Sequence, residues 1–496
     1  MGSFRVSRAA LSDDMGSILE IQQGHLMPHG RISAFDDGVG GVPRGFAKPR
    51  DLSRTKRTKS SVALNNLRAL VILIVVGFHS ALAYLGSQRA SPFPFDQSPF
   101  EWRAFPILDS HRWFGFDIFC AWQDVYLMSL MFFLSALFTW PSLTRKGSGK
   151  FLADRFLRLG VPFGFALAVV VPIAVYPAYR VTAADPGVIA YARHFLALPF
   201  WPNGPMWFLW QLLALTVVAA LLHRFAPHWV ALLGRWSSSA GAHPGRFFAG
   251  LAAASALAYV PLAVAFTPWA WGEHGPFALQ FSRPLLYAVF YFAGLGVGST
   301  GLEGGLLASD GMLAWRWPVW LAGALAAFVC WMGLTALAMS YKASAPLGLQ
   351  IIVDTSFALA CAGGCFCVTA GCLRFGTVRS PLFDSLANNA FGIYLLHYVF
   401  VVWLQYALLG VALFAVAKGM LVFAGALLLA WASTAALRFI PFGSRLIGES
   451  PPSRVRIPSA SKDLRLLDRG NRDRRQLPPP RHKARACSCP ADISRR

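Results

Sequence analysis

Ten apolar stretches of about twenty residues constrain this chain more than any single motif. They fall at about 63–85, 115–140, 158–179, 205–222, 247–266, 284–299, 317–339, 350–372, 389–409 and 419–438. A helix of that length, rising about 1.5 Å per residue, crosses a hydrocarbon core of about 30 Å. Inside such a core no water satisfies the backbone, so each crossing has to be a helix. The expected fold is an all-α, polytopic transmembrane helix bundle of about ten spans. Composition agrees: 55% of residues are hydrophobic and only 14% charged, too few to coat several soluble domains.

The formal charge of +22 is unevenly placed. Residues 1–62 carry a net +4 and residues 441–496 a net +9. No nucleic-acid motif or soluble basic domain accompanies this charge. Attraction to an anionic membrane face accounts for it, and no nucleic-acid partner is expected. The basic run Arg54–Lys59 precedes the first apolar stretch and predicts a cytoplasmic N-terminus. On that orientation the cytoplasmic loops between spans hold eleven Lys/Arg and the outer loops eight, Arg283 and Lys418 among them. Ten spans then return the C-terminus to the cytoplasm. The expected organisation is a disordered basic cytoplasmic arm at 1–60, a transmembrane domain at 61–440, and a disordered Arg/Pro-rich cytoplasmic tail at 441–496. No cleavable signal is visible in the first 60 residues, so the first span is expected to act as the targeting signal. The expected location is the cell inner membrane, multi-pass, with the lipid bilayer as partner.

The first apolar stretch contains Arg68 and His79. Ionisable side chains in such a segment are costly and mark function. They are 11 positions apart, roughly three full turns, so both project from one face, roughly 16 Å apart along the axis. Two readings stand side by side. Arg68 can anchor topology at the headgroups, and His79 can be a packing histidine bonded to a neighbouring helix. Their alignment on one stripe favours a functional pair.

Cys361, Cys365, Cys367 and Cys372 share one apolar stretch and read as small hydrophobic residues. No histidine or carboxylate joins them at ligand spacing, and no metal site is expected. Pro92, Phe93, Pro94, Phe95, Pro99, Phe100 and Trp102 make segment 86–112 rich in proline and aromatics. Either it lines an entrance from the outer side or it forms an interfacial aromatic belt. The same two readings apply to Trp201, Trp207 and Trp210.

Five blocks, in order, carry a resemblance to a known family. "LNNLRALVILIVVGFHS" holds the Arg-x10-His pair; "MFFLSALF", "RFLRLGVPF", "GPMWFLWQLL" and "LANNAFGIYLLHYVFVVWLQ" follow. Together they resemble the acyltransferase-3 family of integral membrane O-acyltransferases, over roughly residues 60–440. The third and fifth blocks look most like the glucan biosynthesis protein C branch. The chain departs from the pattern at Asn65, where relatives often carry an aspartate; an amide can hydrogen-bond but cannot neutralise. Ala69 and Ala136 stand where glycines are common.

The resemblance implies acyl transfer, acetyl or succinyl, from a cytoplasmic acyl-CoA co-substrate to a hydroxyl of a carbohydrate or glycan at the outer side, with no bound cofactor. Histidine suits the proton-taking role, which assigns His79 as general base or acyl relay. A guanidinium suits a donor phosphate, which assigns Arg68 to the donor. His397 in the ninth span shares the proton or orients substrate, or simply bonds another helix beside Tyr394. Asn65, Trp207, Tyr394, Asp117 and Asp124 complete the candidate substrate-binding set. Asp117, Asp124, His111 and Asp354 each sit near the outer ends of spans, where an acid binds a sugar hydroxyl or is simply solvated. A transporter or flippase of a polar solute is the competing class. Pro162, Pro172 and Pro177 interrupt the third span as in broken transporter helices, but no repeated halves are visible.

Overall fold

The computed structural model describes residues 58–302, 305–341 and 344–448. Contacts divide the chain into residues 1–451 and 452–496, and the second unit lies outside the described residues. So do the arm at 1–57 and Cys487 and Cys489.

The first unit is an all-α bundle. Among the described residues, nine helical stretches are long and apolar enough to cross a membrane, and a tenth apolar helix is shorter. In chain order, α1 is Lys59–Ala81 and α2 is Phe114–Ala136, followed by the short α3, Thr139–Lys146. The continuous stretch α4 is Ser148–Thr182, and α5 is Val188–Leu196. Then come α6 (Trp207–Phe225), α7 (Pro227–Ser238), α8 (Pro244–Phe266) and α9 (Pro284–Ser299). The last four are α10 (Trp317–Met339), α11 (Leu347–Phe375), α12 (Pro381–Ala407) and α13 (Ala415–Phe439). Every apolar stretch read from the sequence is one of these helices.

Several starts are written in the sequence. Thr58 caps α1 by accepting a hydrogen bond from Ser61 N at 3.3 Å. Proline opens α7, α8, α9 and α12, where a missing N–H costs nothing. Within α4, residues 156–160 and 166–170 form π turns ahead of Pro162 and Pro172. The wider turn accommodates the proline ring against the preceding carbonyls, so the prolines widen the span without breaking it. The region between the second and third spans, read as a loop, is helical through α3 and the start of α4.

Side chains in α1 and α12 fix how the two helices pair. Asn65 meets Asp384, His79 meets His397, and Ser80 meets Gln405. The partners advance together, so the two helices run parallel over their length. Because successive spans alternate, α1 and α12 both start at one end of the bundle, called the near end here. Both finish at the opposite, far end. Helix α13 packs on both, and α2 and α11 close the other sides of α1.

Helix α9 has 16 residues, about 24 Å, shorter than a bilayer core. It lies against α2, α7 and α8. Gly294 and Gly298 let its backbone touch that of α2: an added Cβ would meet the carbonyl oxygens of Phe133 and Leu137. By contrast α10 exposes Val319, Leu325, Val329 and Leu337, as a helix facing lipid does.

The far end carries a folded cover. Segment 86–113 returns to α1 through Asp109 N to Ala83 O at 3.0 Å and Trp113 N to Tyr84 O at 2.9 Å. Phe95 and Trp102 stack at 4.5 Å between centroids and are buried on Tyr179 and Tyr191. The segment is thus a packed cap and not a loose aromatic belt. A hairpin absent from the sequence reading, β1 (Trp271–His274) with β2 (Phe277–Gln280), turns at Gly275, whose φ is +56°. Arg103 of the cover pairs with Glu273 of the hairpin. Burial pushes the Glu273 carboxyl above the usual range, and Arg103 pulls the other way.

Candidate active site

His79 lies in the last turn of α1 and His397 lies inside α12, which is fully buried at that position. The parallel pairing of the two helices sets the rings 4.9 Å apart, edge to face. His397 Nε2 is 3.3 Å from His79 Nδ1. Tyr398 presents its ring edge-on to His79 at 5.7 Å.

The carbonyls around this pair fix where the protons sit. His397 Nδ1 is 2.7 Å from Tyr394 O, which only accepts, so Nδ1–H donates and Nε2 carries the lone pair. His79 Nδ1 faces that lone pair and also Val75 O at 2.9 Å. Both neighbours are acceptors, so His79 Nδ1 carries the proton. His79 Nε2 is then the unprotonated nitrogen. It has no hydrogen-bond partner among the described residues, and the His79 ring is only half-buried. The arrangement yields an oriented imidazole with its basic nitrogen free.

The backbone around the pair is held as tightly. Gln405 Nε2 donates to His79 O at 2.9 Å and to Ser80 O at 3.3 Å, answering carbonyls at the end of α1. Tyr394 Oη donates to Pro205 O just before α6. Gly204, with φ +48°, lies where a Cβ would come 2.9 Å from the Tyr398 ring. Tyr394 and Gln405 are 11 residues apart, the same three turns that separate Arg68 from His79.

Arg68 is different. Its side chain is exposed, unlike its helix neighbours Leu67 and Ala69. No hydrogen bond or ion pair joins it to another described residue. Arg158 of α4, a like charge, acts on it. Between Arg68 and His79 on the same stripe, Ile72 and Val75 are buried.

A family model described as an acyltransferase domain matches residues 61–435, well over half the chain. The chain belongs to the acyltransferase-3 family. Neither a curated protein nor a solved structure matches it. It is therefore a membrane-embedded acyltransferase, and the histidine pair and Arg68 both lie inside the matched domain.

The remaining candidates of this acyltransferase fall in other places. Asn65 Nδ2 donates to Asp384 Oδ1 at 2.9 Å, and Arg379 Nε donates to Asp384 Oδ2 at 2.6 Å. A carboxylate is thus supplied beside position 65 from α12. Asn66 Nδ2 donates to Gly376 O and Val378 O, which clamps the near end of α1 to the loop before α12. Asp117 accepts from Gly86 N at 2.6 Å and Ser87 N at 3.1 Å and so caps the chain leaving α1. Asp124 pairs with the buried Arg283 at 2.5 Å. Trp207 stacks on Tyr287 of α9, and the structure puts none of Trp207, Asp117 or Asp124 against the histidines. Lys418, counted from sequence as an outer-loop cation, is fully buried in α13 and paired with Asp109 at 2.6 Å. Asp354, read as a surface acid, is buried too. Among the described residues no cluster of three His, Cys, Asp or Glu has metal-binding geometry.

Gln405, Asp384 and Tyr398 were missed by sequence reasoning. Gln405 had a signal: it is a polar residue on the same stripe of an apolar helix as Tyr394 and His397. Asp384 had none, because its role depends on which helix lies beside Asn65.

Proposed function

We propose that this acyltransferase moves an acetyl or succinyl group from acyl-CoA, entering at the near end, to a carbohydrate hydroxyl arriving from the far end. The near end is the cytoplasmic side on the charge reading above, in the cell inner membrane. The observation that carries the proposal is the contact between His79 and His397, which leaves His79 Nε2 protonless and unpartnered.

In this reading His79 Nε2 takes the proton of the acceptor hydroxyl as its oxygen attacks the thioester carbonyl. The C–O bond forms, the C–S bond breaks, and the imidazolium returns the proton to the departing thiolate. While the ring is charged, its Nδ1–H bond to His397 Nε2 becomes charge-assisted and stronger. A covalent acyl-His79 relay uses the same nitrogen and the same partners. Arg68, without a hydrogen bond or ion pair among the described residues and under the like charge of Arg158, supplies the positive field that a donor phosphate needs. The roughly 16 Å between Arg68 and His79 is of the order of an extended pantetheine arm. Because Ile72 and Val75 are buried between them, the donor arm has to uncover these two side chains on its way in. The transporter reading has no comparable support, since the matched domain is that of an acyltransferase.

The test is mass spectrometry of envelope glycans from a deletion strain complemented with wild type or His79→Ala, at equal membrane levels. The expected result is a mass increment of an acyl group with wild type and none with the variant. Equal increments with both would remove His79 as the base. The size of the increment separates acetyl from succinyl, and with it the branch of the family.

A further inference from the structure

The side-chain donors around the histidine pair are committed to protein carbonyls or to each other, with one exception. His397 Nδ1–H goes to Tyr394 O at 2.7 Å, and His79 Nδ1–H to Val75 O and the His397 lone pair. Gln405 Nε2 gives its hydrogens to His79 O and Ser80 O. Ser80 Oγ donates to Val76 O at 2.7 Å, and Tyr394 Oη to Pro205 O. The exception is Tyr398. Its side chain is 4% exposed, and its Oη has no hydrogen-bond partner among the described residues. The Tyr84 hydroxyl also lacks a partner but is sealed inside the protein, whereas the Tyr398 hydroxyl keeps open surface.

This phenol is held in place from two sides. Tyr398 follows His397 directly on α12, and its ring lies 5.7 Å from the His79 ring and 6.4 Å from the His397 ring. On the other side the chain ahead of α6 presses against it. A Cβ at Gly204 would come 2.9 Å from one ring carbon and 3.6 Å from the carbon that bears the hydroxyl. Glycine alone fits there, both for space and for its φ of +48°. A tyrosine buried to this degree ordinarily finds a partner for its hydroxyl, because a lone buried donor is costly. Phenylalanine would fill the same space without that cost. The hydroxyl is therefore retained for something that arrives.

We propose that Tyr398 is the oxyanion donor of this acyltransferase: its Oη–H hydrogen-bonds the carbonyl oxygen of the acyl group while His79 Nε2 works on the acceptor hydroxyl. The proposal rests on the acyl-transfer reading above. As the acceptor oxygen attacks, the electron pair of the C=O π bond moves onto the carbonyl oxygen, which becomes an anion. A donor already aimed at that oxygen stabilises the anion more than the neutral carbonyl, and so lowers the barrier. The pair returns to re-form C=O as the C–S bond breaks, and the phenol keeps its proton throughout. His79 does not fill this role in the attack step, because its free nitrogen carries a lone pair. Arg68 does not fill it either, roughly 16 Å away along α1. An acceptor sugar brings several hydroxyls and can be held elsewhere. The oxyanion forms beside His79, where Tyr398 is the uncommitted side-chain donor.

The test compares wild type with Tyr398→Phe, which keeps the ring and removes the hydroxyl, at equal membrane levels and matched melting temperature. Membrane vesicles of the deletion strain carry their own acceptor and are supplied with radiolabelled acetyl-CoA or succinyl-CoA. The rate at saturating donor should fall about 10²–10³-fold, the usual worth of one oxyanion donor, with the donor KM within about threefold. A second readout needs no acceptor: infrared difference spectra of the full chain in nanodiscs with the same donors, isotope-labelled at the thioester carbonyl. In wild type the carbonyl band should lie at lower wavenumber than in the free donor, and Tyr398→Phe should abolish that shift while donor binding persists. A lower rate with the same carbonyl band in both proteins would give the hydroxyl to the acceptor or to packing and overturn the proposal. Equal rates would overturn it as well. A wild type that neither binds nor consumes either donor would overturn the acyl-CoA reading and the proposal with it; in the other two outcomes wild type is active, so the two failures are told apart.

Discussion

Arg68 and His79 occupy one stripe of one helix, yet their surroundings treat them in opposite ways. Around His79 the protein supplies a partner for nearly everything: His397 and Val75 O for Nδ1, Gln405 for the last carbonyls, Tyr398 for the ring face. A single nitrogen is left over. Around Arg68 the described residues supply no hydrogen bond or ion pair, and the charge that acts on it is another arginine, Arg158. Chemistry that moves a proton needs a fixed direction, and a network of hydrogen bonds gives it. Capture of a charged, flexible donor needs an open charge, and a pre-formed ion pair would compete with it. The difference between the two ends therefore matches two tasks, orientation and capture.

Substitutions at the two ends should separate those tasks. The largest effect is expected from His79→Ala, which removes the free nitrogen. Initial rates of acyl transfer in membranes should fall about 10²–10⁴-fold, the usual worth of a general base. A loss of threefold or less would break the comparison at its stronger end. Next comes His397→Leu, which takes away the acceptor facing His79 Nδ1. We expect kcat to fall about 10–100-fold with the donor KM little changed, as removing a buried hydrogen-bond partner costs about 1–3 kcal/mol. Glutamine can both donate and accept, so His397→Gln should recover part of the loss. Equal activity of the leucine and glutamine variants would show that the ring only packs.

At the open end, Arg68→Gln should raise the donor KM about tenfold or more and leave kcat within a few fold, since a bond to a charged group is worth about 1.5–3 kcal/mol. A fall in kcat at unchanged KM would move Arg68 into the chemical step. The smallest effect is expected from Asn65→Asp, which restores the family's usual acid at that position. It would face the Asp384 carboxylate across what is now a 2.9 Å hydrogen bond. The expected cost is about 1 kcal/mol of stability, read as a lower melting temperature, and the double change with Asp384→Asn should recover it.

Much of this was legible in the sequence because it depends on position along one helix. Nine spans and the shorter apolar helix α9 follow from apolar runs, and the common face of Arg68 and His79 follows from 11 residues at 3.6 per turn. The family resemblance on the Arg-x10-His block and four others agrees with the matched domain. What the sequence hid depends on which helices are neighbours. That His397 touches His79 requires α1 and α12 to run side by side and in register, and no local pattern encodes that. The same reason conceals the buried pairs Arg283–Asp124 and Lys418–Asp109, which look like outer-loop charges when each is read alone. Hairpin 271–280 escaped because two four-residue strands leave almost no periodicity to read.

The two π turns of α4 have one more consequence. Each places about one residue more than an ordinary helix in the same rise, which rotates everything beyond it by about 100°. Arg155 and Arg158 lie at or ahead of the first turn; Ile173, Tyr176 and Arg180, which meet Trp403 and Tyr406 of α12, lie beyond the second. The two halves of the span are therefore out of phase by more than half a revolution. A helical wheel drawn straight through 148–182 assigns faces wrongly in one half. Removing one residue from a single π segment would let it close as an ordinary turn and leave the basic half and the α12-facing half aimed as they are, because each π turn absorbs its extra residue locally.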